Sequence, residues 1–299
     1  MPSLPDRLRR DPGARANAVG LGANVALAVA KFVVGTLAGS AALIADGFNS
    51  AGDIFATAVA WLGYQWAQRP PDDNHHYGHG NFETVAGLIV GAMLLATGLF
   101  ITVDGAMKLA AGPTEPPEKL ALAVAVATMV VKEALYRYTR AVGVRLNAPS
   151  LLASSRDHRA DVFAGLAVFA GVMGARLGLP WLDPLAAVLI GLYIAAMAVE
   201  PIRDNISVLM GEAPEGIVEE IRRAARHVDA VREVDAIRVH QLGSYYMVDL
   251  DIFVDGGLSL YDAHDIAHAV RDRVRAEVGH VQEVKVHVNP TGLKPTMEG

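Results

Sequence analysis

Asn49 and Asp53 stand four residues apart, and Asp157 and Asp161 repeat that spacing later in the chain. At 3.6 residues per helical turn, the members of each pair fall on one face of a helix, about one turn apart. Two such faces turned toward each other would make a four-ligand cage of oxygen atoms. Carboxylates and amide carbonyls are hard ligands that suit manganese, magnesium or calcium, whereas imidazole favours zinc, copper, nickel or ferrous iron. The Asn49, Asp53, Asp157, Asp161 set therefore points to Mn²⁺, with Fe²⁺ next by size and charge, and Zn²⁺ or Cd²⁺ behind it. Asp46, seven residues before Asp53, lies on a similar face and either lines the path or caps its helix. The plainer alternative is that these acids sit near helix ends, reach water, or pair with Arg156 and Arg159. That accounts for one acid better than for two matched pairs.

A second ligand-rich stretch is Asp72-Asp73-Asn74-His75-His76-Tyr77-Gly78-His79-Gly80. Its acids and imidazoles have a ligand density that suits a second metal site, the alternative being a solvated, histidine-rich turn. Farther on, Asp249 and Asp251 alternate with apolar residues, His264 and His268 are one helical turn apart, and His240 and His287 lie in strand-like runs. Asp249, His264 and His287 are the metal candidates there. Lys132 and Glu133, followed by Tyr136, Arg137 and Tyr138, read as an interfacial belt rather than a site. Gly87 and Gly91 form a small-residue face that permits close helix packing.

The elements that must position these residues follow from composition. Of 299 residues, 52% are hydrophobic and 19% charged, and the mean hydropathy is +0.30, too apolar for an ordinary soluble chain of this length. Six apolar blocks are long enough to cross a hydrocarbon core: Ala16 to Leu37, Ala41 to Ala67, Val85 to Leu109, Leu120 to Tyr138, Leu151 to Leu177, and Pro184 to Ile202. An aspartate near the centre of such a block costs roughly 2.5–3.5 kcal/mol, so three of them call for a buried reason, which a cation supplies. Arg7, Arg9, Arg10 and Arg15 precede the first block, Arg137, Arg140 and Arg145 follow the fourth, and Arg203 follows the sixth. That bias predicts that both termini are cytoplasmic. The segment from Met1 to Ala16 lacks the apolar core of a signal peptide and reads as mature sequence. There is no cysteine, which excludes disulfides and thiolate sites, and the net charge of −6 offers no basic field for nucleic acid.

Beyond Pro214 the pattern changes to a helix (Ile217 to His227), strands at Ala236 to Gln241 and Tyr246 to Val254 around a Gly243-Ser244 turn, a helix (Tyr261 to Val278) and a strand (Glu283 to Val288). This α-β-β-α-β order suits a small α+β open-faced sandwich. The expected organisation is a transmembrane domain of six helices over 1–208, a cytoplasmic domain over 209–291, and a tail over 292–299.

At this point the chain resembles the cation diffusion facilitator family, from the first span to Pro290, and within it the manganese-type metal cation/proton antiporters. The likeness is carried by Ala42-Leu43-Ile44-Ala45-Asp46 leading to Asn49 and Asp53, by Asp72-Asp73-Asn74-His75 with Gly78-His79-Gly80, by Lys132-Glu133-Ala134-Leu135-Tyr136-Arg137, and by Ser155-Arg156-Asp157-His158-Arg159-Ala160-Asp161. The resemblance implies a homodimeric exporter of the inner cell membrane in which Asn49, Asp53, Asp157 and Asp161 hold the transported ion, usually exchanged for protons. It also implies metal at Asp72, His75 and His79, and a metallochaperone-like dimerisation module that often binds metal, where Asp249, His264 and His287 fall. Zinc-preferring relatives typically place histidine at the transport site, and this chain has only oxygen ligands. Some relatives lock the dimer with a lysine after the Gly-His-Gly segment, where this chain has Asn81.

The function expected is alternating-access efflux of Mn²⁺ against protons through the lipid bilayer, with no enzymatic cofactor. Two other classes compete: a metal-dependent membrane hydrolase, for which no nucleophile motif is present, and a membrane-anchored metal sensor, for which six spans are more than an anchor needs.

Overall fold

The computed structural model describes residues 12–112, 115–146 and 149–291; Arg7, Arg9, Arg10 and the 292–299 tail lie outside the described residues. Six long helices come first: α1 (Pro12–Ala38), α2 (Ala41–Ala67), α3 (Asn81–Ala110), α4 (Lys119–Leu146), α5 (Pro149–Arg176) and α6 (Leu182–Leu209). At 1.5 Å per residue each is about 40 Å long, more than the roughly 30 Å of a hydrocarbon core. Ala18–Ala38, Asn81–Ala110 and Leu182–Leu209 are apolar enough to cross a membrane on composition alone. Of the other three, α2 and α5 carry the paired positions Asn49, Asp53, Asp157 and Asp161, and α4 and α5 many of the basic residues. Helix α6 continues past the expected Ile202 to Leu209, because hydropathy ends at Arg203 and Asp204 while the backbone hydrogen-bond ladder does not.

The chain divides into two compact units, residues 1–58 with 90–200, and residues 59–89 with 201–299. The core of the first is built from small residues: Ala38, Ala42, Ala45, Ala121, Ala125 and Ala186 pack with Leu43, Ile101, Val168, Val172, Ile190 and Ile194. Small side chains let helices approach closely, which lipid-embedded helices use in place of hydrophobic collapse. At Gly191 a Cβ would lie 2.7 Å from the Thr102 backbone nitrogen, so α3 and α6 meet at a distance only glycine permits. Asp183, buried at the start of α6, accepts hydrogen bonds from Ser40 Oγ and the Ala41 nitrogen, both at 2.7 Å. It thereby caps the first turn of α2. Leu37, Phe100, Val130, Phe163, Leu189 and Val199 are exposed, an apolar outer surface of the kind lipid covers.

The second unit holds α7 (Ile217–Arg226), β1 (Glu233–Leu242), β2 (Tyr245–Val254), α8 (Leu260–Glu277) and β3 (Val281–Pro290), in the expected α-β-β-α-β order. The sheet order is β1-β2-β3. Strand β2 runs antiparallel to β1 and parallel to β3. Helices α7 and α8 cover one face, where Ile221, Val248, Leu250, Ile252, Val270, Val274 and Val284 form the core. The strand alternation therefore leaves Arg238, Asp249, Lys285 and His287 exposed on the other face. Helix α8 begins with a capping box between Ser259 and Asp262. In the same unit, Gly87 of α3 packs against Asn205 of α6.

Candidate functional site

The spacing argument places Asn49 and Asp53 on α2, and Asp157 and Asp161 on α5. The two helices meet at this level: Asn49 Nδ2 donates to Asp161 Oδ1 at 3.3 Å. Asp53 lies within electrostatic range of both Asp157 and Asp161. Asn49 and Asp161 are buried, Asp53 is half-buried and Asp157 is exposed. The carboxylates are not drawn into a closed cage, and an ion would have to gather them.

A lysine already neutralises one of these acids. Lys132 on α4 is fully buried; its Nζ forms an ion pair with Asp161 Oδ2 and donates to Asn24 Oδ1 of α1 at 2.8 Å. The expected interfacial belt is corrected at Lys132, which is buried; its neighbour Glu133 is partly exposed and pairs with Arg137 at 2.7 Å and with Arg159. Successive helical residues point about 100° apart, so adjacent charges meet different surroundings. A second buried pair joins Lys31 Nζ to Asp46 Oδ2 at 2.7 Å, and Lys31 also donates to Ser50 Oγ at 2.9 Å. Asp46 is thus neutralised by α1 rather than capping its helix. Sequence reasoning missed Lys31, Lys132 and Asn24. The signal was there, since a lysine inside an apolar run asks for a buried partner as strongly as an aspartate does.

The loop trio is already converged. The ligating atoms of Asp72, His75 and His79 lie within 4.8 Å of one another, and among the described residues no other group of three histidines or acids does so. Asp72 Oδ1 accepts from the backbone nitrogens of His75 at 2.7 Å and Asn74 at 3.0 Å. These bonds, that to the His75 backbone foremost, hold the Asp72 carboxyl below the usual range, so it stays ionised. His79 Nδ1 is 3.2 Å from the Pro70 carbonyl, and Nε2 is 3.3 Å from Asp72 Oδ2. A proton donated from Nδ1 to that carbonyl leaves the Nε2 lone pair free for a metal. The loop is held by Tyr245 at the β1–β2 turn, whose hydroxyl donates to the Tyr77 carbonyl at 3.1 Å and accepts from the Gly80 nitrogen at 3.2 Å. A Cβ on Gly80 would lie 2.4 Å from the Leu242 carbonyl, so the turn packs on bare backbone.

The third candidate set is not brought together within one chain. Asp249 pairs in register with Arg238 and Lys285, and His287 sits opposite Asp251, all on the open face of the sheet. His264 meets His268 edge-on, with ring centroids 4.3 Å apart and planes inclined at 62°, and lines a recess with Val284 and Val286, which face the helices.

Residues 18–210 match the model of the cation efflux transmembrane domain, and residues 213–291 that of the cation efflux protein cytoplasmic domain. The chain belongs to the cation diffusion facilitator family. This facilitator is 32% identical to the manganese efflux system protein MneP of Bacillus subtilis, over 91% of this chain and 94% of that one. It is also 32% identical to the magnetosome protein MamB of a Magnetospira species, over 90% and 92%, and 33% identical to metal tolerance protein C1 of Arabidopsis thaliana, over 92% and 62%. As a cation diffusion facilitator it is a membrane transporter that carries divalent metal cations out, not an enzyme.

Proposed function

We propose that this facilitator exports Mn²⁺ in exchange for protons, cycling between inward- and outward-facing states as a homodimer in the inner cell membrane with both termini cytoplasmic. Asn49, Asp53, Asp157 and Asp161 hold the ion. The observation that carries the choice of metal is the oxygen-only set formed where α2 and α5 meet, with Asn49 bonded to Asp161. The likeness to a manganese efflux protein supports it. Water would complete the octahedral shell that Mn²⁺ prefers. Burial makes an uncompensated carboxylate costly, so each acid must be met by metal, proton or ammonium at every stage, and exchange of metal for protons follows. Residues 1–208 perform this exchange, while 209–291 dimerise and sense metal.

Asp72, His75 and His79 hold a second divalent ion. On the cytoplasmic sheet, Asp249 and His287 would ligate only with groups from a second chain, and His264 would act separately beside His268. The dimer must be locked without a lysine at Asn81.

The test is uptake of Mn²⁺, Fe²⁺, Zn²⁺ and Cd²⁺ into proteoliposomes under a pH gradient, for wild type, Asn49→His and Asp157→His. Mn²⁺ transport that shifts toward Zn²⁺ in the histidine variants supports the site and the metal together. Wild-type preference for Fe²⁺ or Zn²⁺ keeps the transporter and overturns the Mn²⁺ assignment. Flux independent of the pH gradient overturns proton exchange.

A further inference from the structure

We infer that Lys132 is a tethered counter-cation of the transport site, whose ammonium sits on Asp161 while the site is empty and withdraws onto Asn24 when the metal ion arrives. The inference rests on the reading of Asp161 as a metal ligand.

Lys132 is fully buried, and a buried ammonium is tolerated only with partners. It has two, of different kinds. Asp161 Oδ2 is a charged group that the metal would also claim, and Asn24 Oδ1, at 2.8 Å, is a neutral acceptor on another helix. A divalent ion bound to Asp161 would repel an ammonium in contact with the same carboxylate, strongly so in a poorly screened interior. The two cations therefore compete for one acid. Asn24 provides the fallback, since the ammonium that leaves Asp161 still has an acceptor. Lys31 supplies the contrast. Its acid, Asp46, belongs to neither matched pair, and its second partner is Ser50, so Lys31 is a fixed structural charge.

Two consequences follow. Competition weakens metal binding, which a carrier needs in order to release its cargo. The same ammonium neutralises one of the site's acids during the return of the empty carrier, which would otherwise bring Asp161 through the membrane interior uncompensated.

The experiment is Mn²⁺ titration calorimetry on the full-length protein in detergent, paired with initial Mn²⁺ flux in proteoliposomes. Lys132→Gln is expected to bind Mn²⁺ about tenfold more tightly, within the roughly 5–150-fold range of coupled sites, yet to turn over more slowly. A merely structural lysine would give weaker binding instead. Lys132→Arg retains the charge and should restore most of the wild-type affinity. Asn24→Leu removes the fallback and should weaken binding about fivefold, the worth of one buried hydrogen bond. Unchanged or weaker binding in Lys132→Gln, with binding abolished in Asp161→Asn, overturns the counter-cation. Unchanged binding in Asp161→Asn overturns the ligand reading beneath it. Should Lys132→Gln fail to fold, unchanged affinity in Asn24→Leu overturns the inference alone.

Discussion

The membrane aspartates and the loop trio handle negative charge in opposite ways. On α2 and α5, Asn49 and Asp161 are buried, the acids stand apart, and Asp161 is already neutralised by Lys132. In the loop, Asp72 is half exposed, fixed by backbone hydrogen bonds, and set within reach of two imidazoles. A site that gathers its ligands only around the ion, against a resident cation, binds reversibly. A site whose ligands are preassembled holds its ion and moves nothing. On the proposed reading of the two sites, that difference would separate a transported ion from a resident one.

The largest effect that could break this contrast is loss of the membrane acids. Asp53→Ala, Asp157→Ala and Asp161→Asn should each lower Mn²⁺ flux by at least about a hundredfold, since a ligand matters more than the outer-shell partners that are worth 10–100-fold. Wild-type flux in all three would mean that the acids are solvated charges and that transport runs elsewhere.

The next is confined to the loop. In His79→Ala the bound metal should fall by one ion per chain, measured by elemental analysis of the dialysed protein, while flux falls less than about tenfold. Asp72→Asn keeps an acceptor for the His75 and Asn74 nitrogens but drops the charge, so it should lose metal without losing the turn. Unchanged stoichiometry in both would leave the stretch as a histidine-rich turn.

These variants also mark how far the sequence could be read. Spacing alone placed Asn49 with Asp53 and Asp157 with Asp161, because i, i+4 geometry is a property of any helix. The apolar runs located six helices, and the Gly243-Ser244 turn located the hairpin. Contacts between helices were not legible. Lys132 meets Asn24 across 108 positions of sequence, and nothing local distinguishes a lysine that turns inward from Glu133, which turns out. Asp249, His264 and His287 looked equivalent as residue types. Strand alternation and sheet register set Asp249 and His287 on the open face among cations, and His264 beside the helix-covered face.

A smaller effect probes what holds the loop trio in place. Tyr245→Phe removes one donor to the Tyr77 carbonyl and one acceptor for the Gly80 nitrogen. At about 1 kcal/mol for each of the two bonds, and with about half of that loss felt at the metal, affinity at the loop should drop about fivefold, with Mn²⁺ affinity at the membrane site unchanged. Equal loss at both sites would show that the substitution perturbs the whole fold.

The smallest effect comes from the exposed end of the same contrast. Glu277 accepts from His227 Nδ1 at 3.0 Å and from Arg273 at 3.0 Å, and the His227 hydrogen bond, more than any other cause, holds its carboxyl below its ordinary value of 4.5. The folded state therefore binds fewer protons than the unfolded state near that value. The stabilisation is complete above the ordinary pKa and fades as pH falls through it toward the lower folded value. Because the pair is solvent-screened, the gain is slight. The urea midpoint of α8, read by pulsed hydrogen exchange at a fixed pulse pH, should fall between about pH 5.5 and pH 3.5 in wild type, and fall less in Glu277→Gln. An identical fall in both would assign the acid sensitivity to other carboxylates. It would leave intact the distinction between an acid that water screens and one, like Asp161, that needs a cation beside it.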